Sequence, residues 1–124
     1  MQRDTQQRRA IREVLERADR PLSPEELLGA AREKVPGIGQ ATIYRNLKAL
    51  ENQGWLEVVT IPGHPSRYEL AGKGHHHHFL CRSCDSAYEV TGCPGDLEPL
   101  TPAGFRLESH ELVLYGLCEI CLAG

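Results

Sequence analysis

The stretch QATIYRNLKALENQGWLEVVTI, residues 40–61, changes its period part-way along. Ile43, Leu47 and Leu50 recur at helical spacing, and Gly54 closes that pattern. WLEVVTI then reads as a strand, and after the turn PGHP (62–65) the segment SRYEL (66–70) reads as a second. The sequence therefore predicts a helix feeding directly into a hairpin. Upstream, Ile11, Val14, Leu15 and Ala18 form the apolar stripe of a helix over residues 4–18. In RPLSPEELLGAAREK (20–34), Ser23 as N-cap, Pro24 at N1 and Glu26 at N3 predict a capping-box start. Leu27, Leu28 and Ala31 face inward, and Pro36-Gly37 stops this helix. Three short helices with tight connections make a helix-turn-helix core, and the hairpin behind them is the wing of a winged helix.

A chain of 124 residues has the length of one typical domain or two very small ones. Its 40% hydrophobic and 25% charged content is ordinary for a soluble globular protein. No apolar run approaches the ~20 residues that a bilayer span needs, and the opening MQRDTQQRRAIREV lacks the apolar core of a signal peptide. The expectation is a cytoplasmic protein with no membrane partner. The net charge of −3 hides an asymmetry: residues 1–54 carry 10 Lys+Arg against 8 Asp+Glu, and residues 55–124 carry 4 against 9. A mildly basic front and an acidic back suit a DNA reader joined to a cation-binding module.

Ala71-Gly72-Lys73-Gly74 reads as a short hinge, separating residues 1–71 from 75–124 with 72–74 between them. Beyond it, FLC, AYEV, FRLESH (105–110) and ELVLYG (111–116) read as short strands. The prolines of PGDLEPLTP (94–102) leave room for one or two helical turns at most.

Cys81-x-x-Cys84 and Cys118-x-x-Cys121 are two knuckles, each able to offer two thiolates to one ion. In a reducing compartment, such cysteines favour ligation over disulfides. Four sulfurs at ~2.3 Å in tetrahedral array describe a structural zinc site, with an Fe–S cluster or reduced core thiols as the alternatives. The knuckles are 33 residues apart, so the site would tie the chain's last turn back to the start of its second module. That module has several prolines and few large side chains, hence little core of its own. Neither knuckle has the βαβ context of a thioredoxin-like motif. Cys93, the odd fifth cysteine, reads either as an idle thiol or as a redox-reactive or metal-adjacent one.

The run His75–His78 is internal and flows straight into Phe79, unlike a tag. If the FLC strand extends back through it, His76 and His78 point one way and His75 and His77 the other. Four histidines would then serve two sites. Glu69 upstream and Glu89 downstream add carboxylates, and mixed N/O ligation accepts Zn²⁺, Fe²⁺, Mn²⁺, Co²⁺ or Ni²⁺. A metal bound at the hinge between two modules couples binding to geometry.

Together these residues resemble the Fur (ferric uptake regulator) family of metal-dependent bacterial repressors, over nearly the whole chain. Thr5-x-x-Arg8-x-x-Ile11 looks like the family's opening helix, LSPEEL like its second, and GIGQATIYRNLKALENQGWL like its recognition helix. SRYEL looks like its second wing strand. HHHHFLCRSC, then YEV, GFRLESHELVLYGLC and CEIC, look like its metal-binding dimerisation domain. The fold class this implies is α+β: an N-terminal winged helix-turn-helix, then a small α/β dimerisation domain with a Cys₄ zinc site.

The resemblance assigns Cys81, Cys84, Cys118 and Cys121 to structural zinc, and Glu69, His76, His78 and Glu89 to a regulatory divalent metal (Zn²⁺, Fe²⁺ or Mn²⁺). It places His75, His77 and His110 on a third site, with Asp96 or Glu98 as its carboxylate. Three departures stand out. Many members have a DNA-domain histidine where this chain has Arg20-Pro21, so the regulatory site would use four ligands or borrow His64 from the wing turn, favouring tetrahedral Zn²⁺. Zinc-sensing members often have a cysteine near position 71, where this chain has Ala71. TGCPGDLEPLTPAG is shorter than the helix usual there.

On the third helix the outer face shows Gln40, Thr42, Tyr44, Arg45 and Lys48. Tyr44 and Arg45 match the family's Tyr-Arg pair; a tyrosine can meet a thymine methyl, and an arginine can read guanine or grip phosphate. Small helix-turn-helix units act as symmetric dimers on palindromes. The expected function is a homodimeric, metal-activated repressor of metal-homeostasis genes, bound to a palindromic double-stranded DNA operator, with no catalytic residue. A peroxide sensor is the variant within the family. The rivals outside it are a metal buffer and a zinc hydrolase, the latter lacking any HExxH spacing.

Overall fold

The computed structural model describes residues 2–124, with side chains described from Gln6 onward; the side chain of Thr5 lies outside the described residues. Two compact units divide between Lys73 and Gly74. Among the described residues, no helix is long and apolar enough to cross a membrane.

The first unit holds three helices and a hairpin: α1 (Gln2–Ala18), α2 (Pro24–Lys34), α3 (Gln40–Asn52), β1 (Leu56–Val59) and β2 (Arg67–Leu70). Each boundary has a local cause. At the start of α2, Ser23 Oγ accepts the Glu26 N–H at 3.1 Å and Glu26 Oε1 accepts the Ser23 N–H at 3.0 Å, completing the capping box. Arg20 adds a second contact to the same carboxylate at 3.0 Å. At the end of α3, the Gly54 N–H reaches Glu51 O and the Trp55 N–H reaches Leu50 O. This paired closure requires a left-handed residue, supplied by Gly54 at φ +83°.

The core of this unit gathers Ile11, Val14 and Leu15 of α1, Leu27 and Ala31 of α2, and Ile43, Leu47 and Leu50 of α3, joined by Leu22, Ile38 and Leu56. Leu28 and Ala18 are only partly buried and pack at its edge. The strands are shorter than WLEVVTI and SRYEL suggested, pairing antiparallel from Leu56↔Leu70 to Val59↔Arg67. Between them the His64 N–H closes a turn on Ile61 O, with Pro62 second and Gly63 third at φ +80°, the positive φ that a type II turn needs there. Leu22 and Tyr68 exchange both backbone hydrogen bonds, at 2.9 and 2.8 Å, which fastens the hairpin to the entrance of α2.

The second unit is a three-stranded sheet ordered β4-β3-β5: β3 (His77–Cys81), β4 (Ala87–Val90) and β5 (Val113–Gly116). β4 runs antiparallel and β5 parallel to β3. A 3₁₀ turn covers Glu98–Leu100, and a short α4 (Glu119–Ala123) closes the chain. FRLESH forms no strand. Pairing with β3 begins only where Val113 meets His78, and FRLESH ahead of it has no ladder partner. Likewise the strand starts at His77 rather than running back to His75. Besides the cysteines, only Leu80 and Ala87 of this unit's apolar side chains are fully buried, while Phe105, Leu114, Leu117, Ile120 and Leu122 are exposed.

Candidate metal centres and nucleic-acid interface

Parallel pairing of β3 and β5 brings the C-terminal ends of both strands to one end of the sheet. Cys81 pairs with Gly116, and the Arg82 N–H reaches Gly116 O at 2.8 Å. A knuckle follows each strand there. After β3, the Asp85 N–H returns to Cys81 O and Asp85 takes φ +61°, so Cys81 and Cys84 flank a tight turn. After β5, Cys118 caps α4 and Cys121 lies in it.

The four sulfurs lie within 4.8 Å of one another. Cys84 Sγ and Cys118 Sγ are 3.8 Å apart, and a tetrahedral ion with bonds of ~2.3 Å sets its sulfurs about 3.8 Å apart. The Cys118 N–H also points at Cys81 Sγ, at 3.3 Å. Backbone N–H groups, that of Cys84 foremost and those of Cys118 and Ser83 with it, bring the Cys81 thiol down to about 6 against the opposing effect of burial. The Cys121 N–H and then the Tyr88 hydroxyl lower Cys118. Ser83 favours the Cys121 thiolate, yet the neighbouring sulfurs of Cys118, Cys81 and Cys84 outweigh it and push Cys121 up to about 12. Four thiolates in this space thus require a cation among them. The donor set fits zinc.

The histidines divide by parity. His76 and His78 stack edge-to-face with ring centroids 4.9 Å apart, and His78 pairs directly with Glu89 across β3 and β4, so these two side chains share a face. His76 Nδ1 donates to Gly74 O at 2.8 Å, which leaves Nε2 with its lone pair. Glu69 and His64 belong to the first unit, Glu69 buried on β2 and His64 in the wing turn.

The odd-numbered pair meets a different set. His75, His77, His110 and Cys93 bring one donor atom each within 4.8 Å of one another. Neither Asp96 nor Glu98 belongs to this cluster; Asp96 Oδ1 instead accepts the Glu98 N–H at 2.9 Å and caps the 3₁₀ turn. His77 is buried, and burial first, then the neighbouring His75 and His110, lower its proton affinity, favouring neutral imidazole. The Leu112 N–H donates to His77 Nδ1 at 3.2 Å.

On α3, Gln40, Tyr44, Arg45 and Lys48 are exposed and Thr42 is half-buried. The opposite face carries a polar knot that sequence reasoning missed. Asn46, 1% exposed, donates from Nδ2 to Gln7 Oε1 and Thr42 O, and its Oδ1 accepts from Arg8 Nε at 3.1 Å. Its one signal was its place beside Ile43 and Leu47 on the inward stripe. The knot fixes α1 against α3, and thereby the angle at which the outer face is presented.

The chain as a whole is similar to known proteins. A profile of the ferric uptake regulator family matches residues 2–115. The zinc uptake regulation protein of Mycobacterium tuberculosis is 35% identical over 126 residues, covering 96% of this chain and 94% of its own. The ferric uptake regulation protein of Campylobacter jejuni is 31% identical, covering 94% and 78%. Among solved structures, the Helicobacter pylori ferric uptake regulator Fur, described as having three functional metal-binding sites, aligns with a TM-score of 0.71 at 30% identity, over 94% of this chain and 79% of its own. With matches of this extent, the chain belongs to the ferric uptake regulator family.

Proposed function

We propose that this protein is a metal-responsive transcriptional repressor. Two copies would bind a palindromic double-stranded operator, with α3 of each in the major groove. The observation that carries this reading is the exposed row Gln40, Tyr44, Arg45 and Lys48 on a helix whose other face is locked into a three-helix core and backed by a hairpin. Arg45 would make the direct contacts to guanine or phosphate, and Lys48 would neutralise backbone charge. Cys81, Cys84, Cys118 and Cys121 would hold structural zinc. The edge strand β5 and the exposed Leu114, Leu117, Ile120 and Leu122 support a second copy as the covering partner.

The regulatory cation (Zn²⁺, Fe²⁺ or Mn²⁺) would be held by His76, His78 and Glu89, with Glu69 as the ligand from the first unit. The grounds for Glu69 and Glu89 lie in their positions either side of the histidine run. When bound, the cation supplies attraction between ligands and no chemical step. His76 is already restricted to its Nε2 lone pair, which lessens the ordering that binding must impose.

The test is fluorescence anisotropy with duplexes selected from a random pool, using protein dialysed against EDTA and then reloaded with each metal in turn. We expect tighter binding after reloading with one of the three. Equal affinity with and without every metal would instead indicate a metal buffer. Arg45→Ala should weaken specific binding by about 1–3 kcal/mol, and an unchanged affinity would remove Arg45 from the interface.

A further inference from the structure

We infer that Cys93 is a metal ligand: its thiolate, with His75, His77 and His110, forms a sulfur-containing CysHis₃ site for a borderline divalent cation, Zn²⁺ or Co²⁺. The inference rests on donor geometry within the second unit and does not depend on the DNA-binding reading. His75 Nε2 and His110 Nε2 are 3.2 Å apart. Cys93 Sγ lies 3.3 Å from His110 Nε2, 3.4 Å from His77 Nε2 and 3.6 Å from His75 Nε2. A tetrahedral ion with nitrogen at ~2.05 Å and sulfur at ~2.3 Å requires N···N about 3.3 Å and N···S about 3.6 Å. The spacings are those of a coordination shell. His75 meets both His77 and His110 edge-on, at 87° and 82°, and the rings of His77 and His110 are tilted by 32°. The convergence is in the donor atoms themselves: one from each of the four residues lies within 4.8 Å of the others.

The topology explains how four residues so far apart in sequence meet. His75 and His77 enter β3, Cys93 follows the end of antiparallel β4, and His110 precedes parallel β5, so all three chain segments arrive at the same end of the sheet. The Leu112 N–H donated to His77 Nδ1 holds the ring proton on Nε2, facing Cys93. His77 therefore enters the shell as its other neutral tautomer, with the ring proton on Nδ1 in place of Nε2 and the bond from the Leu112 N–H given up, while the Cys93 thiol releases its proton to solvent.

A thiolate in place of a carboxylate changes what the site prefers. Sulfur favours zinc and cobalt and disfavours manganese, which takes oxygen donors. The ion would also staple residues 94–109, a stretch whose one regular element is the turn Glu98–Leu100, because Cys93 and His110 bracket it.

The test uses the full chain under reducing, oxygen-free conditions, after confirming by ICP mass spectrometry that one zinc per chain is retained. Co²⁺ is then titrated in. Wild type should develop the near-ultraviolet thiolate-to-cobalt charge-transfer band of a four-coordinate site, with the zinc still retained. Cobalt bound by His76, His78 and carboxylates gives no such band. Cys93→Ser should lose the band, with cobalt affinity at this site down more than about a hundredfold, beyond the ~10–100-fold that losing an outer-shell partner alone costs. Cys93→Asp should restore cobalt binding without the band, which guards against a folding defect in the serine variant. A band of full strength in Cys93→Ser with zinc retained, or no sulfur band in wild type, would overturn the inference.

Discussion

Replacing Cys118 by serine should unfold the second unit and leave the first standing. The two units differ sharply in what holds them. Of its apolar side chains other than the cysteines, the second buries only Leu80 and Ala87 completely. At 1.5–3 kcal/mol for a buried leucine and roughly half that for alanine, this burial contributes about 3 kcal/mol. Ordering each strand residue costs about 1–2 kcal/mol, so two side chains cannot offset three strands. A structural zinc contributes about 10–16 kcal/mol in small domains, which makes the ion the main source of this unit's stability. Serine offers no thiolate, and Cys118 is the residue from which α4 starts, so the variant loses both a ligand and the anchor of the chain's last turn.

The assay is hydrogen exchange read by mass spectrometry, on the variant and on wild type stripped with a strong chelator. Peptides covering β3, β4 and β5 should exchange as an unfolded chain. Those covering α1, α2 and α3 should retain their protection, because the cluster from Ile11 to Leu56 is complete without the second unit. Protected β3–β5 amides in a zinc-free variant would refute the reasoning about the ion. Loss of protection throughout α1–α3 would refute the separate core.

Three further outcomes follow from particular contacts. Asn46→Leu strands Gln7 Oε1 in a buried place and Arg8 Nε in a half-buried one, and should cost about 1–3 kcal/mol; urea denaturation with no shift in midpoint would contradict the knot. Lys34 at 2.9 Å holds the Glu13 carboxyl below its ordinary 4.5, so the pair favours the folded state above that pH and ceases to do so as pH falls through the depressed value. Lys34→Met should therefore be slightly less stable than wild type at pH 7 and indistinguishable from it in strong acid; a difference constant across pH would dismiss the pair. Gly116→Ala places a methyl 2.9 Å from the tip of the Phe79 ring, which must swing away, at a cost of about 1 kcal/mol or more. A thermal midpoint equal to wild type would show that the ring moves freely.

The parts legible in the sequence were those with a local cause. Ser23, Pro24 and Glu26 specify the start of α2 by mutual hydrogen bonds within four residues, and Gly54 closes α3 by its own backbone conformation. The apolar periodicity of Ile43, Leu47 and Leu50 needs no distant partner to be recognised. FRLESH illustrates the limit. Its strand-forming composition is real, but a strand exists only where a neighbour supplies hydrogen bonds, and the ladder on β3 is taken up from Val113 onward. Asn46 escaped notice because its partners, Gln7 and Arg8, lie almost forty positions away. Cys93 stayed open for the same reason: nothing near it in sequence marks it as a ligand.

What places the donors is the direction of β5. Because it runs parallel to β3, the knuckles that follow the two strands meet at one end of the sheet, and the residues that precede them, His75, His77 and His110, meet at the other. Antiparallel β4 then delivers Cys93 to the histidine end and no cysteine to the knuckle end. Had β5 run the other way, His110 would lie beside the Cys81 knuckle and Cys118 beside the histidines, and neither set of four could form. The spacing of Cys-x-x-Cys alone therefore does not make the site; the pairing that aligns Cys81 with Gly116 does. The same strand parity then gives the two histidine pairs different neighbours. Odd positions complete the end of the sheet, while His76 and His78 turn to the face that Glu89 shares. A one-residue slip of β3 would exchange the two histidine pairs and misplace Cys81 at once, so the register that forms the cysteine cluster also fixes which histidines face Cys93 and which face Glu89.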